Sequence, residues 1–293
     1  MTMVQPVRAA DRLSASEIDD VLALAAAAAE ADGVYPLSED VVLRVRGDAP
    51  HPGTHLLSCT GDRLAGYAYL ADGSGELVVH PRFRRQGHGT ALLTAAGTGP
   101  LSFWAHGDDP GAAIFASRNG FARARVLWQM RRSLVEPLPS VPLPEGVTVR
   151  AFRPGQDEQA WLDINARAFA HHPEQGKWTM ADLLAREDEP WFDPEGFLLA
   201  VSGDDLVGFH WTKIHPASGG DPAIGEIYVL GVDPSGHRRG LGAALSVAGL
   251  SYLAGRGLTI SNLYVDESNE AAVKLYRRLG YDVHKTDISY QRP

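Results

Sequence analysis

The sequence predicts an α/β fold with a mixed sheet, present twice in tandem. Three observations carry that prediction. The first is a ten-residue phrase that occurs twice, as His80-Pro81-Arg82-Phe83-Arg84-Arg85-Gln86-Gly87-His88-Gly89 and as Asp233-Pro234-Ser235-Gly236-His237-Arg238-Arg239-Gly240-Leu241-Gly242. Each copy follows an apolar run (Leu77-Val78-Val79; Leu230-Gly231-Val232) and precedes a stretch rich in Ala and Leu. The second is a constant offset. Pro81 to Pro234, Gly87 to Gly240 and Gly89 to Gly242 are each 153 residues apart, the mark of a duplicated domain. The third is the order of periodic segments around the second phrase, β-α-α-β-β-β-α-β-α-β, which the first half repeats more faintly.

In the first half, residues 19–32 read as a helix, 54–59 and 64–70 as a hairpin, and 76–79 as a strand. A helix at 90–96, a strand at 101–105, a helix at 112–119 and a late strand at 126–132 follow. Pro137, Pro139, Pro142 and Pro144 then make 136–146 a stiff linker, because proline blocks helices and central strands. The domains are therefore expected at 1–135 and 147–293. In the second half a strand opens at 147–152. Residues 157–169 are helical, with Trp161, Ile164 and Phe169 on one face. Residues 179–186 form a shorter helix with Thr179 as its N-cap. A hairpin joins 197–202 to 206–214 across Gly203-Asp204-Asp205. A strand at 223–232, a helix at 240–255 and a strand at 258–265 come next. The helix at 269–279 is closed by Gly280 at its C′ position, and 281–290 is the last strand.

Composition narrows the possible functions. The 293 residues suffice for two cores, and 44% apolar with 22% charged residues is ordinary for a globular protein. No run approaches the roughly 20 apolar residues of a membrane span, so no membrane association is expected. The Ala-rich stretch at 21–31 lies too late, and lacks the basic flank, for a secretion signal. Cys59 is the single cysteine, which excludes an intrachain disulfide and a Cys-based metal cage and suits a reducing cytoplasm. A net charge of −9 disfavours nucleic acid and mildly suits a cationic amine. His171-His172 looks like a metal pair only superficially. Adjacent residues point apart and no third ligand stands at a useful spacing, so no metal is expected.

A strand, a proline turn, a basic glycine loop and a helix together form a phosphate-binding arrangement. Glycines let a ligand approach the backbone, and the helix N-terminus favours an anion. A single copy would read more simply as a solvated basic turn; two copies in one register favour the phosphate site. On the strand before the second loop, alternation from Leu230 places Glu226, Tyr228 and Leu230 on one face. From its residue type and position alone, Glu226 is about equally a general base or an exposed strand-end acid. Tyr276 alone would be an ordinary core residue.

This element order, the basic Gly-x-Gly loop and the segment Asn269-Glu270-Ala271-Ala272-Val273-Lys274-Leu275-Tyr276-Arg277-Arg278-Leu279-Gly280-Tyr281 together resemble the GCN5-related N-acetyltransferase (GNAT) family. The resemblance implies two tandem GNAT-type domains, each a mixed, mostly antiparallel sheet flanked by helices. Further segments are similar to a tandem branch of that family: residues 32–39, 165–176, 190–194, 208–213 and 226–234. Its members acetylate the cysteinyl amine of a cysteine–glucosamine–inositol conjugate, the last step of a thiol pathway. Acetyl-CoA is the implied cofactor, a small-molecule amine the partner, and a monomer the expected form. Another small amine or a protein N-terminus as acceptor, or a non-catalytic acyl-CoA-binding protein, are the competing readings.

The resemblance also implies roles for single residues. Glu226 becomes the base, acting directly or through water, and Tyr276 the acid for the leaving thiolate. CoA would be held by Leu230, Gly231 and Val232, where a bulge can turn backbone N–H groups to the thioester. His237, Arg238, Arg239, Gly240, Leu241, Gly242 and Ala243 would meet its phosphates, with Asn269, Glu270, Ala271, Ala272, Val273 and Lys274 beside them. The first half keeps a matching set in Leu77, Val78, Val79, Arg85, Gln86, Gly87, His88, Gly89 and Thr90. Glu39, Glu174, Lys213, Glu226 and Tyr264 would contact the acceptor, which would then bridge the two domains. Carrying the 153 offset back from Glu226 gives Gly73, and aligning Gly120 with Gly280 sets Ala116 opposite Tyr276. The first copy is thus expected to be non-catalytic, with CoA binding there left open.

Overall fold

A computed structural model of the chain describes residues 5–47, 53–170, 175–217, 221–236 and 240–293. The chain forms two compact units that interleave in sequence. One takes the chain up to Trp128 together with Asp266–Ser268 and Lys285–Pro293; the other takes Gln129–Val265 and Asn269–His284.

The first unit contains β1 (Arg8–Ala10), α1 (Ala15–Asp32), α2 (Glu39–Arg46), β2 (Thr54–Thr60), β3 (Arg63–Ala71), β4 (Ser74–Val79), α3 (His88–Ala95), β5 (Leu101–His106), α4 (Pro110–Arg118) and the beginning of β6 (Ala122–Ser133). The second holds the end of β6, then β7 (Thr148–Ala151), α5 (Glu158–Ala168), α6 (Met180–Glu187), β8 (Phe197–Ser202), β9 (Asp205–His215), β10 (Ile224–Val232), α7 (Leu241–Gly255), β11 (Ile260–Asp266), α8 (Glu270–Arg278) and the beginning of β12 (Asp282–Arg292).

Two elements were not foreseen from the sequence, β1 and α2. The latter is only eight residues long. It is defined by its ends: Ser38 Oγ accepts from Val41 N at 3.3 Å, and Gly47 closes it at φ +82°. α1 starts earlier than its apolar pattern suggested, because Ser14 and Glu17 form a reciprocal capping box. The expected Thr179 cap is present, reinforced by Asp182 in the same way.

In the first unit the sheet runs β1-β2-β3-β4-β5, and the tail of β12 then pairs antiparallel with β5, from Asp287 opposite His106 to Arg292 opposite Leu101. β4 and β5 are parallel, and their ladder covers only Ser74–Glu76 against Ser102–Trp104. In the second unit the order is β6-β11-β10-β9-β8-β7. Its β10–β11 pair is parallel, while β7–β8, β8–β9 and β9–β10 are antiparallel.

The core of the second unit sets the frame for β9 and β10. Phe197 stacks on Trp211 with centroids 4.3 Å apart and on Phe152 at 4.3 Å, while Trp161 meets Trp211 edge-on at 5.7 Å. Trp161, Phe197, Phe209 and Trp211 are fully buried. Such rings bury large area in fixed geometry, so strand β9 is held rigidly. On the opposite face His210 is buried against α7, its Nδ1 donating to Leu245 O at 2.8 Å. Burial pushes its pKa down to about 4, so it packs as a neutral core residue.

The first unit buries a titratable cluster that composition could not reveal. His106, at the end of β5, lies between Glu76 Oε1 at 3.3 Å and Asp287 Oδ2 at 3.2 Å. Glu76 also accepts from Ser38 N at 2.7 Å, which ties β4 to the start of α2. Burial would lower the His106 pKa, but the two carboxylates outweigh it and raise it to about 9. A raised histidine stabilises the folded state fully below its ordinary value of about 6.5, and that contribution fades as pH climbs through about 9. Urea melts of the whole protein are therefore expected to lose up to ~3 kcal/mol between those limits. His106→Asn should flatten the dependence; an unchanged slope in that variant would disprove the assignment.

Candidate active site

The strand expected to bulge does so, but two residues earlier than expected. β9 and β10 pair regularly from Gly208 opposite Val232 to Trp211 opposite Val229, then resume at Thr212 opposite Ile227. Tyr228 is the extra residue. The Leu230-Gly231-Val232 segment is in regular register, correcting the bulge assigned to it. The equivalent β3–β4 ladder runs unbroken from Gly66 opposite Val79 to Ala71 opposite Ser74. The second copy has thus gained one residue inside the strand, and upstream of it the offset falls by one. Glu226 corresponds to Ser74, not to Gly73. Either way the first copy has no carboxylate there.

The bulge also changes which side chains share a face. Glu226 pairs with Lys213 and Val229 with Trp211, so these four lie on the α5/α6 side. Leu230 pairs with His210 and packs with Val232 against Leu241 and Leu245 of α7. The expected grouping of Leu230 with Glu226 is therefore wrong, because the inserted residue reverses the alternation. Tyr228 remains on the Glu226 side, its ring edge-on to Trp211 at 5.4 Å.

Beyond the bulge the parallel pair opens. The β10–β11 ladder covers Gly225–Ile227 against Ser261–Leu263, and no pairing joins Val229–Val232 to β11 among the described residues. Backbone groups on that edge of β10 are left to face a ligand. At the far end Gly240 caps α7 with φ +88°, a conformation costly for other residues, and offers no side chain to the first turn. The amides of Leu241, Gly242 and Ala243 lack intrahelical acceptors by their position and carry the positive end of a 15-residue helix.

Gly242 is informative because the fold does not need it. A Cβ there would meet Leu275 and Val232 at 3.8 Å, ordinary contact distance. Glycine at a helical position costs about 1 kcal/mol relative to alanine. A ligand lying directly against the protein backbone there would account for it. Gly242→Ala is expected to raise the KM for acetyl-CoA about tenfold while leaving the melting temperature equal or higher. A lower melting temperature with unchanged KM would refute this. The corresponding Gly89 differs, since a Cβ there would lie 2.9 Å from the Phe115 ring.

The remaining first-copy residues fall into place around α3. Gly87 caps it at φ +99°, and Arg85 has the left-handed φ of +62°. Gln86 donates to Arg82 O at 3.1 Å. The His88 imidazole, expected at the cofactor, is buried and bonded to Ser58 Oγ at 2.8 Å and Thr60 Oγ1 at 3.0 Å, leaving only its backbone N–H for a ligand. Leu77, Val78 and Val79 continue β4 beyond its short ladder with β5, as Val229–Val232 do in β10. Thr90 lies in the first turn of α3.

Glu226 is 7% exposed, and His215 Nε2 donates to its Oε2 in a short contact. A carboxylate only accepts, so the Nε2–H form of His215 is the one that serves. Lys213 lies with its ammonium 4.6 Å from the Trp191 ring centroid and 5.6 Å from that of Tyr228. Tyr264 on β11 accepts from Gln129 Nε2 at 2.9 Å. Glu226, Lys213 and Tyr264 therefore gather in the second unit. Glu39 is exposed in the first turn of α2, in the first unit. Glu174, His237, Arg238, Arg239 and the His171-His172 pair lie outside the described residues.

Tyr276 sits two residues before Arg278, the last residue of α8. Tyr281 N donates to Tyr276 O at 3.0 Å and Gly280 N to Arg277 O at 3.1 Å, the two bonds of a Schellman cap. Phe121 N to Ala116 O at 2.9 Å and Gly120 N to Ser117 O at 3.2 Å repeat the motif, so Ala116 holds the place of Tyr276. The Tyr276 ring is edge-on to Tyr281 at 5.9 Å, and burial pushes its pKa up to about 12. Asn269 caps α8, its Oδ1 accepting from Ala272 N at 3.2 Å, and Lys274 pairs with Glu270 at 2.9 Å on an exposed face. Ala271 is exposed and Val273 buried, so the side chains of this turn serve mainly the helix itself.

Sequence reasoning missed four polar residues near Glu226: Gln129, Arg131, Asp221 and Asn262. They come from strands β6 and β11 and the approach to β10, segments whose local patterns predict strands and nothing more.

The second unit has the architecture of an N-acetyltransferase of the GCN5-related class. The acetyltransferase (GNAT) family model matches residues 159–281, from α5 to the residue after the α8 cap. A GCN5-related N-acetyltransferase of Sphaerobacter thermophilus superposes with a TM-score of 0.73 at 28% identity, covering 99% of this chain and 97% of that one. A tandem GNAT protein from the clavulanic acid biosynthesis pathway shares the fold at a TM-score of 0.72 and 19% identity, covering 97% and 98%. Within that class, the chain belongs to the mycothiol acetyltransferase family. It is 59% identical over 295 residues to the mycothiol acetyltransferase of Salinispora arenicola, covering 96% of this chain and 95% of that one. With that of Thermobispora bispora the identity is 54% over 293 residues, covering 98% and 99%. GNAT acetyltransferases use acetyl-CoA, and the opened β10–β11 pair with the glycine-capped α7 fits it. Among the described residues no helix is long and apolar enough to cross a membrane.

Proposed function

We propose that the protein acetylates the cysteinyl amine of a cysteine–glucosamine–inositol conjugate to form mycothiol, and that the second unit carries out the reaction. The observation that carries the reading is Glu226, a buried carboxylate held by His215 at a bulge the first unit lacks. The name shared by the full-length relatives supports the same acceptor.

Acetyl-CoA, when bound, supplies the acetyl group as a reactive thioester. The residues that would hold it are Val229–Val232, by the free edge of β10, and Gly240–Ala243, by first-turn amides. An ammonium cannot attack, so the acceptor must lose a proton first. Glu226 takes that proton, directly or through one water, and His215 holds the carboxylate oriented for it. Tyr276 keeps its own proton at Oη at any physiological pH and can give it to a leaving thiolate. Lys213 and Tyr264 are acceptor contacts in this reading. The first unit, with Ser74 and Ala116 at the two proton-transfer positions, binds CoA without turnover.

The test is competition by mass spectrometry. Purified protein with acetyl-CoA is offered the conjugate, free cysteine and a short peptide. The conjugate should be acetylated with by far the highest kcat/KM. Preference for the peptide would overturn the reading.

A further inference from the structure

In both units the start of the glycine loop is tied to the C-terminal end of a helix by an arginine–aspartate pair. In the second unit Arg167, the second-last residue of α5, donates through Nε and Nη2 to Asp233 Oδ2 at 2.9 and 2.7 Å. In the first unit Arg84, within the loop, donates to the two oxygens of Asp32, the last residue of α1, at 2.8 and 2.6 Å. The polarity is reversed between the copies. The loop position differs too, since the repeat sets Asp233 opposite His80 and Arg84 opposite His237.

The helix ends do not require these residues. An acid at the last residue of a helix faces the negative end of its dipole, which disfavours it. α1 carries Asp32 there nonetheless and has no basic residue in its last turn. Within the loops, the work of Asp233 is divided between two residues in the first copy. Asp233 Oδ1 accepts from Ser235 N at 2.8 Å, and its Oδ2 takes Arg167. His80 Nδ1 accepts from Arg82 N at 3.2 Å, and Arg84 makes the tie. Copies that diverged in residue and in sign kept the same connection, which marks a constraint on the loop.

In the second unit the connection reaches beyond a surface ion pair. The Arg167 side chain is 49% exposed, so its charge is screened and adds little to stability. Asp233 is only 8% exposed. Its carboxylate also accepts from Ser235 Oγ at 2.6 Å, and its N donates to Val207 O at 3.0 Å. The helix end is fitted to the strand just before it. A Cβ on Gly231 would lie 2.6 Å from the Phe209 ring and 3.2 Å from Ala168 Cβ, so the last residue of α5 rests directly on the stretch assigned to the thioester. Arg167 and Ala168 together fix the line on which the chain leaves β10.

We propose that Arg167 is a positioning residue for the cofactor loop, holding Asp233 so that the loop is set for the CoA diphosphate before the ligand arrives. Packing of α7 fixes the far end of the loop at Gly240, and Arg167 fixes the near end. A loop held at both ends has less freedom to lose on binding, so the tie acts on affinity. It touches neither Glu226 nor Tyr276, so the chemical step is left alone. The proposal rests on the cofactor site assigned above.

Arg167→Gln should raise the KM for acetyl-CoA about five- to tenfold and leave kcat within about twofold. Calorimetry with CoA should show one binding event weakened by the same factor. Arg167→Lys keeps the charge without the planar fork and should recover part of the loss. Arg167→Gln combined with Asp233→Asn should cost no more than Asp233→Asn alone, because the two side chains act as one unit. Melting curves accompany each variant. A folded Arg167→Gln protein with unchanged KM and CoA affinity overturns the positioning role, and so does a lowered melting temperature as the sole effect. If the wild-type protein binds no CoA, the cofactor site itself fails and the positioning role falls with it.

Discussion

Glu226→Gln lowers kcat/KM for the amine acceptor by about 10²–10⁴-fold, the usual range for a lost general base. That is a loss of about 3–5 kcal/mol of transition-state stabilisation. Gln keeps the shape of the side chain and an oxygen that still accepts from His215 Nε2, so the strand and its bulge survive. Only the capacity to take a proton is removed. CoA affinity, measured separately by calorimetry, should be unaffected, since its contacts are assigned to backbone groups further along β10 and α7. A variant whose rate stays within threefold of the parent, with chemistry rate-limiting, would remove Glu226 as the base.

Tyr276→Phe is expected to lower kcat by a comparable ~10²–10⁴-fold, with little change in acceptor KM. The phenyl ring preserves the edge-on contact with Tyr281 and the buried volume. The pH dependence is a sharper criterion. Because burial raises the phenol to about 12, its proton stays in place throughout any practical assay range. Parent and variant should therefore have pH–rate profiles of the same shape, displaced in height. A phenol that ionised near neutrality would instead give the parent a falling alkaline limb that the variant lacks.

Both proposed residues could be singled out in the sequence because each belongs to a local pattern. Glu226 precedes a duplicated loop on the same strand, and Tyr276 sits inside a capped helix whose Gly280-Tyr281 ending recurs as Gly120-Phe121. The helices and hairpins were readable for the same reason. What escaped were consequences of pairing. Tyr228 falls in the middle of an apolar run, where one inserted residue breaks no visible periodicity, yet it turns Leu230 to the other face and moves the counterpart of Glu226 from Gly73 to Ser74. Gln129 and Asn262 meet at one cavity only because β6 lies beside β11. The first unit, expected to be non-catalytic, buries Glu76 with His106 and Asp287, residues from distant segments of the chain.

The tail of β12 has a consequence for synthesis of the protein. β5 pairs with residues 181 to 191 positions downstream, so its outer edge stays open until Asp287–Arg292 have left the ribosome. At roughly 5–20 residues per second that interval is about 10–40 s. Vectorial folding, in which an amino-terminal domain finishes before the next begins, is closed to this protein. During the wait an unpaired strand edge is presented to other nascent chains, the situation in which holding chaperones matter. A fragment cut at the proline-rich linker would carry the same open edge permanently. The tandem repeat, which looks separable in the sequence, has to be made and folded as one polypeptide.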